Sequence, residues 1–149
     1  MKRELIAVAV VLSACSGNPH KVDVPAPRSG GLEVVELAPA AGALVDAATI
    51  IKAKLAYSIP PGYPGEYRVI AQFAMTTGNM STDGSFPMSS YPVLRGERGA
   101  VEIEFPLSHV IGRAEVAKPL KMRFLLNITT APGRARSVAY VGPFSYDVH

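Results

Sequence analysis

Apolar and polar residues alternate along four segments of this chain, and this alternation limits the fold more than any other feature. The segments are residues 49–59, 67–75, 100–105 and 120–130. A period of two residues is typical of β-strands that bury one face and expose the other. The pattern therefore predicts half-buried strands. The apolar residues expected nearest the centre of the core are Leu55, Phe73, Ile103, Phe124 and Leu126.

Two further segments, 32–37 and 137–148, are less regular. Mixed parity in 32–37 indicates an edge or bulged strand. In 137–148 the pair Gly142-Pro143 predicts a bulge or a change of pairing partner, because proline cannot donate to a strand ladder. Residues 107–116 are the only stretch whose pattern permits a helix. We therefore predict an all-β fold of six to eight strands, packed as an antiparallel two-sheet sandwich.

The residues Leu37-Ala38-Pro39-Ala40-Ala41-Gly42-Ala43, followed by a strand ending Ala56-Tyr57-Ser58-Ile59, resemble bacterial immunoglobulin-like and fibronectin-type-III-like modules. The resemblance implies an immunoglobulin-like strand order, in which strand 49–59 pairs antiparallel with strand 100–105. Lys52 and Lys54 would then stand opposite Glu102 and Glu104 on the solvated face. A transthyretin-like sandwich or a small open barrel would produce almost the same alternation.

The first fifteen residues have the order of a bacterial export signal. Met1-Lys2-Arg3 is basic, residues 5–12 are apolar, and small residues follow. The apolar run is too short to span a bilayer as a helix, which takes roughly 20 residues. Leu12-Ser13-Ala14-Cys15 resembles the lipobox of bacterial lipoproteins. The resemblance implies cleavage before Cys15, a diacylglyceryl thioether on its sulfur, and acylation (palmitate or a similar chain) of the new amino terminus. The alternative is an ordinary signal peptide followed by a chance cysteine.

We accordingly divide the chain into a signal peptide (1–14), a lipidated cysteine with a Pro/Gly/Ser-rich linker (15–31) and a sandwich domain (32–149). Cys15 is the only cysteine, so no disulfide can form within the chain and the apolar core must hold the fold. Ser16, and not an aspartate, follows the cysteine. This resembles the lipoproteins of many Gram-negative bacteria that are sorted by default to the outer membrane. The expected location is therefore the cell envelope, on the outer membrane facing the periplasm.

Charge and motifs argue against several function classes. Without residues 1–14 the chain holds 13 basic and 11 acidic residues and no basic block, so we expect no nucleic-acid partner. His20 lies in the predicted linker and His149 is the last residue, so one central histidine, His109, remains, and it cannot supply a multi-histidine zinc site. No Gly-x-Ser-x-Gly or phosphate-binding motif occurs. We therefore predict no enzyme activity, no metal and no cofactor.

Two loops are candidate binding sites. Residues 76–92 are long for a hairpin connection and carry Phe86, Met88 and Tyr91. Either these side chains bind a partner, or Phe86 and Tyr91 fold back over a sheet edge with a short strand near residues 91–94. The second loop, 60–66, carries Tyr63, which a sandwich would place near Arg134 and Arg136. That combination suits acidic or sugar ligands, unless the loop is only a rigid turn beside solvated arginines.

The sequence thus predicts a lipid-anchored envelope protein that binds another envelope protein through a sheet edge or a loop, without catalysis. The alternative is a small-ligand or glycan-binding envelope module that uses Tyr63, Arg134 and Arg136. An enzyme is the third hypothesis, and the absence of a visible catalytic set disfavours it.

Overall fold

The structure is a computed structural model that describes residues 31–62, 64–131 and 134–149, with no description of the side chains of residues 130–135. The predicted signal peptide, Cys15 and the linker as far as residue 30 lie outside the described residues. Two 3₁₀ turns, Met88–Ser90 and Leu107–His109, interrupt the loops. The strands are β1 (Leu32–Ala38), β2 (Leu44–Val45), β3 (Ile50–Ser58), β4 (Glu66–Ala74), β5 (Met80–Ser81), β6 (Arg98–Pro106), β7 (Leu120–Ala131) and β8 (Arg134–Val148).

The eight strands form two sheets. One has three strands in the order β1-β3-β6, and the other has five in the order β2-β8-β7-β4-β5. The prediction of an all-β, two-sheet sandwich with six to eight strands is confirmed. Neighbouring strands pair antiparallel except for β2, whose two residues run parallel to the end of β8. Antiparallel pairing therefore describes both sheets apart from this short edge pair.

The core lies between the inward faces of the two sheets. Phe73 on β4 and Phe105 on β6 belong to different sheets, and their ring centroids are 4.9 Å apart. All five residues predicted at the centre of the core are buried, as are the other inward residues of β4 and β7. The residues predicted at the centre are Leu55, Phe73, Ile103, Phe124 and Leu126. Alternation placed them correctly because each strand offers one face to the opposite sheet.

The register of β3 against β6 agrees with the predicted charge pairing. Lys52 is paired with Glu104 and Lys54 with Glu102, both on the solvated face of the three-stranded sheet. The Lys52 Nζ atom lies 3.1 Å from the Glu104 Oε1 atom. Opposite charges across an antiparallel pair favour this register, since a slip of one residue would turn them toward the core.

The irregular segments behave as their sequences indicate. The strand β1 lies at the edge of its sheet and has a register shift between Val34 and Glu36. In β8 the register against β7 shifts at Gly142-Pro143, so this feature is a bulge, and β7 remains the partner on both sides of it. Gly142 has a φ of 116°. A Cβ there would lie 3.1 Å from the Met122 carbonyl oxygen, so only glycine fits.

The segment 107–116, which permits a helix by its pattern, forms only the 3₁₀ turn Leu107–His109 followed by turns. Leu107 and Val110 are buried, and this turn closes one end of the sandwich. The Leu107 amide donates to the carbonyl of Thr49, which attaches the turn to the start of β3. Packing against the core thus ends the helical turn after three residues, as is common for 3₁₀ segments.

Candidate functional site

The backbone brings the two loops of the predicted ligand-binding end together. Glu66, which follows the Pro-rich loop, pairs with Thr129 near the end of β7, and Ala131 pairs with Arg134 across the β7–β8 turn. At Gly65 a Cβ would lie 2.7 Å from the Thr129 carbonyl oxygen, so the absence of a side chain permits this close approach. The described ends of the two loops are therefore adjacent in the sheet, while residues 63, 132 and 133 lie outside the described residues.

The side chains of this end are described only in part. Tyr63 lies outside the described residues, and the Arg134 side chain is outside the description, while Arg136 is exposed on β8. A surface cleft of about 410 Å³ lies alongside the loop and is bordered by Ile59, the loop prolines and Glu97. The cleft has the size of a small-ligand site, but prolines and a carboxylate border it.

The long loop after β5 packs onto the protein with two of its three candidate residues. Tyr91 is 2% exposed, and burial raises the pKa of its hydroxyl to about 12. The Phe86 ring lies 4.7 Å from Phe105 and 4.9 Å from Tyr91, measured between centroids. Only Met88 is exposed. Of the two alternatives for this loop, the structure has the second: the loop folds back, and Phe86 and Tyr91 pack onto the protein.

The same loop also makes strand-like contacts with β4. Val93 forms an isolated antiparallel bridge with Arg68, and the Leu94 amide donates to the carbonyl of Tyr67. The Arg68 guanidinium donates to the carbonyls of Met88 and Tyr91. The loop therefore lines β4 close to the predicted segment 91–94, with an arginine holding its backbone.

A cluster of polar side chains, not predicted from the sequence, fixes this loop to the turn after β6. Its centre is Asp83, whose side chain is fully buried. The Asp83 Oδ1 atom accepts from the Ser85 amide at 3.0 Å and from the Arg113 guanidinium. The Oδ2 atom accepts from the Ser85 hydroxyl at 2.8 Å and lies 3.3 Å from His109 Nδ1. Glu115 binds the other side of Arg113.

Electrostatics in this cluster favour ionised Asp83. Burial raises the pKa of the carboxyl group, but the hydrogen bonds from Ser85 and the charge of Arg113 outweigh burial, so the pKa lies below its ordinary value. The cavity beside Asp83 and Arg113 has a volume of only about 20 Å³. A space of that size holds about one water molecule and no substrate.

The contacts of Ser85, His109 and Asp83 differ from those of a catalytic triad. The Ser85 hydroxyl and the Asp83 carboxylate both contact the same histidine nitrogen, Nδ1, and the hydroxyl also donates to Asp83. In a triad the serine and the aspartate contact different ring nitrogens, and the serine proton points toward the histidine. This cluster therefore closes a loop onto the core, and its polar groups satisfy one another.

A second surface feature is the solvated face of the three-stranded sheet. A shallow cleft of about 320 Å³ crosses it, bordered by charged side chains of all three strands. The residues that contribute charge are Glu36, Lys52, Lys54, Glu102 and Glu104. Because lysines on β3 alternate with glutamates on both neighbours, the charges largely neutralise one another within the sheet.

A third feature is the outer edge of β8. β7 pairs with β8 along one side. On the other side, β2 pairs only with Asp147 and Val148, and the Gly42 amide donates to the Ser145 carbonyl. In the part of the chain that the structure describes, no strand pairs with this side of β8 from Arg134 to Phe144. An unpaired edge of this length presents a row of backbone donors and acceptors to solvent.

An aromatic–cation pair stands beside this edge. Tyr140 on β8 is 62% exposed, and the Arg123 guanidinium carbon lies 4.9 Å from the centre of its ring. Arg123 also donates to the Gln72 side chain at 2.9 Å, so the arginine bridges β4 and β8 on the outward face of the sheet. Ile70 and Leu125 pair with one another on that same face and are buried there, although alternation assigns their positions to solvent.

Sequence reasoning did not single out Asp83, Ser85, Arg123 or Tyr140 as site residues. Nothing local identifies the first two, because their partners come from residues 109–113 and only the fold brings these together. The charge pattern could have pointed to Arg123 and Tyr140. Residues 120–146, which contain both, have two lysine or arginine residues on each strand of the hairpin and no acidic residue.

No protein-family model, curated protein or solved structure matches this chain. Among the residues described, no helix has the length and apolar character needed to cross a bilayer. Within those same ranges, no group of three histidine, cysteine or carboxylate side chains is arranged to hold a metal ion.

Proposed function

We propose that the protein is a lipid-anchored envelope protein, held through Cys15 and facing the periplasm from the outer membrane, that binds another protein without catalysing a reaction. The proposal combines the lipobox-like Leu12-Ser13-Ala14-Cys15 with the unpaired edge of β8, which is the structural observation that carries it. The immunoglobulin-like or fibronectin-type-III-like membership of the domain is part of this proposal.

An unpaired strand edge favours a protein partner for a physical reason. Every second residue of such an edge directs its N–H and C=O groups away from the sheet. Another extended chain can form hydrogen bonds with both groups. Natural sandwiches cover or shorten such edges, because exposed edges also promote aggregation. Here β2 covers only the last two residues of β8. Because the Gly42 amide also bonds to the Ser145 carbonyl, the edge open to a partner strand in the described part of β8 ends at Phe144.

The absence of catalysis is supported by how the reactive groups are used. Asp83, Ser85 and His109 bond to one another around a cavity too small for a substrate. Asp83 is ionised and accepts hydrogen bonds from its neighbours, including one that the Ser85 hydroxyl donates. These residues therefore stabilise the loop, and a protein that only binds needs no other role for them.

The anchor is tested on the native protein. We expect mass spectrometry of the amino-terminal peptide to find Cys15 as the first residue with fatty acyl chains attached, and fractionation to place the protein in the outer membrane. Cys15→Ser should leave uncleaved precursor or release the protein from the membrane. An unmodified Cys15, or cleavage at another position, would contradict the anchor.

The interaction is tested by site-specific photo-crosslinking in intact cells. A crosslinking amino acid at Ser137, on the free edge of β8, should form adducts with one protein reproducibly. The same amino acid at Lys52, on the opposite sheet, is the control for unspecific collisions. Equal adducts from both positions, or none from Ser137, would contradict a binding function for this edge.

A second candidate function is favoured by the loop end of the sandwich. The backbone there brings the end of the loop containing Tyr63 next to the end of β7, one strand away from the start of β8, with a cleft of about 410 Å³ alongside. An acidic sugar would be the matching ligand. Two results together would favour this function. The protein would bind such a glycan and lose that binding in both Tyr63→Ala and Arg136→Ala, and the crosslinking amino acid at Ser137 would form no protein adducts.

A further inference from the structure

We propose that the partner presents an extended, acidic segment that pairs with β8 at Ala139–Val141. This inference rests on the proposed function and goes beyond it by naming the chemistry of the partner. Three observations carry it: the charge of the β7–β8 hairpin, the Tyr140–Arg123 pair, and the register of β8 against β7.

Over residues 120–146 the hairpin carries basic residues and no acidic one. Residues 120–146 contain Lys121, Arg123, Arg134 and Arg136, and the first acidic residue of β8 is Asp147. The rest of the mature chain therefore has a net negative charge, because the whole mature chain has only two more basic than acidic residues. A basic surface attracts acidic partners, raises their association rate and disfavours basic ones.

The Tyr140–Arg123 pair supplies a specific anchor. Tyrosine and arginine are the residue types that most often dominate binding energy at interfaces. Arg123 is held at two points, by the Gln72 side chain and by the Tyr140 ring, so its position is largely fixed before a partner arrives. Pre-organisation lowers the conformational entropy that binding costs. A carboxylate of the partner can then accept from the guanidinium donors that Gln72 does not use.

The register limits where a partner strand can lie. β8 pairs regularly with β7 at Ala139, Tyr140 and Val141, and register shifts lie on both sides of this stretch. Bulges prevent long, regular pairing between edges and so reduce self-association. They leave a short straight window centred on Tyr140. The matching ligand is therefore a short extended segment, and a second copy of β8 is disfavoured because both strands are basic.

A peptide fits this surface better than a lipid headgroup does. The edge offers alternating backbone N–H and C=O groups, which another strand satisfies in pairs. A headgroup phosphate accepts hydrogen bonds but donates none to the carbonyls. Anionic lipid would therefore contact the arginines and leave the β8 edge unpaired.

The first test uses the acylated full-length protein in nanodiscs of phosphatidylcholine and a fluorescent nonapeptide of alternating glutamate and valine. We expect saturable binding that weakens as salt increases and weakens at least about tenfold in Arg123→Glu and in Tyr140→Ala. Lys52→Glu is the matched control, since it makes the same charge change on the other sheet. Circular dichroism and cooperative unfolding above the assay temperature must show that each variant is folded.

Two altered peptides separate strand pairing from charge attraction alone. A nonapeptide of lysine and valine should not bind, because the hairpin repels it. The glutamate peptide with alternate amides methylated should also fail to bind, because it cannot donate to the β8 carbonyls. Binding of the methylated peptide at full strength, or equal binding of the lysine peptide, would overturn the proposal.

Hydrogen exchange identifies the site. The glutamate peptide should slow amide exchange in residues 139–141 and leave β3 and β6 unchanged. Protection elsewhere would overturn the proposal. So would protection of 139–141 without peptide in nanodiscs of phosphatidylglycerol, since this edge would then lie on the membrane. Protein adducts from Ser137 together with no peptide binding would overturn this inference and leave the proposed function standing, whereas failure of both tests would overturn both.

Discussion

At the scale of single residues, burial separates the side chains that hold this fold from those that face solvent. Phe124 is fully buried on β7, while Lys121, three residues earlier on the same strand, is exposed. The chain has no tryptophan, so phenylalanine and tyrosine supply the large buried side chains. Substitutions at such positions remove contacts that the rigid sheets cannot replace.

Phe124→Ala should lower the free energy of unfolding by about 3–5 kcal/mol, because it removes a buried ring and leaves a cavity between the sheets. Since small domains are stable by only about 5–15 kcal/mol, the variant should be close to unfolding. Denaturant titration measures the change. Lys121→Ala on the same strand is the control and should change stability by no more than about 0.5 kcal/mol. A loss below about 1 kcal/mol at Phe124 would mean that the core is elsewhere.

Gly99 makes room for a tyrosine on the neighbouring strand. A Cβ at position 99 would lie 2.9 Å from the Tyr57 hydroxyl oxygen. The hydroxyl cannot withdraw easily, because it donates to the Arg95 carbonyl at 2.7 Å and the ring is buried. Gly99→Ala should therefore lower the free energy of unfolding by about 1–3 kcal/mol in denaturant titration.

Gly84→Ala is the matched control for Gly99→Ala. Position 84 has no atom within 4 Å of an added Cβ, and Gly84 does not have a left-handed φ. The control should leave stability unchanged or raise it slightly. Equal effects at the two positions would show that the contact with Tyr57 is unimportant.

At the scale of elements, two kinds of contact fix the connections: polar clusters attach loops, and cross-strand pairs set register. The loop between β5 and β6 is attached through Asp83, and its aromatic residues cover the core beside Phe105. The register of β3 against β6 aligns lysines with glutamates. The first contact is buried and the second is exposed, so substitutions should have different costs.

Asp83→Asn should lower the free energy of unfolding by about 1–3 kcal/mol at pH 7, since buried donors lose a charged acceptor. The pKa of Asp83 is lower in the folded protein than its ordinary value of 3.8. The ionised carboxylate therefore stabilises the fold above that pH, and the stabilisation is lost as the pH falls through the folded-state pKa. The difference between wild type and variant should shrink accordingly.

Urea titrations of both proteins at pH 7 and pH 3 measure this dependence. Glu102→Gln, the same chemical change on an exposed strand face, is the control and should alter stability by no more than about 0.5 kcal/mol. If the cost of Asp83→Asn were the same at both pH values, the carboxylate charge would not contribute to attaching the loop.

The Lys52–Glu104 pair should contribute little energy. Both side chains are more than half exposed, so the coupling free energy from a double-mutant cycle should be about 0.2–1 kcal/mol and should fall as salt is added. The double substitution Lys52→Glu with Glu104→Lys should recover most of what either single change loses. A coupling above about 2 kcal/mol would indicate a buried pair, contrary to the observed exposure.

At the scale of the whole molecule, the sandwich is held by its apolar core and not by covalent links. Cys15 is the only cysteine, and it precedes the sandwich by sixteen residues. Thermal unfolding of the mature protein should therefore have the same midpoint with and without a thiol reductant. A reproducible shift would reveal a disulfide between two copies through Cys15, and therefore an unmodified thiol.

Charge is also distributed unevenly over the whole molecule. The β7–β8 hairpin is basic, whereas the three-stranded sheet pairs its lysines with glutamates. This separation is invisible in the composition, where the two signs nearly cancel. The fold turns this separation of charge into a basic surface, because the hairpin lies at one side of the five-stranded sheet and one edge of β8 is open in the described residues.

The sequence alone determined the class of the fold, the six long strands and the centre of the core, because alternation with a period of two depends only on which face of a strand is buried. The two-residue strands β2 and β5 were not predicted. It also located the irregularity at Gly142-Pro143, since backbone chemistry at these residues is local, and the register of β8 against β7 identifies this irregularity as a bulge. Even the facing of Lys52 and Glu104 was predictable once a strand order was assumed.

Only the tertiary structure decided which loop side chains are covered and which polar groups meet. Phe86 packs against Phe105, and Tyr91 packs against Phe86. Asp83 reaches Arg113 across thirty residues of chain. Ile70 and Leu125 are buried on an outward face. The unpaired edge of β8 likewise depends on how far β2 extends. Such contacts join residues distant in sequence, so no local pattern specifies them.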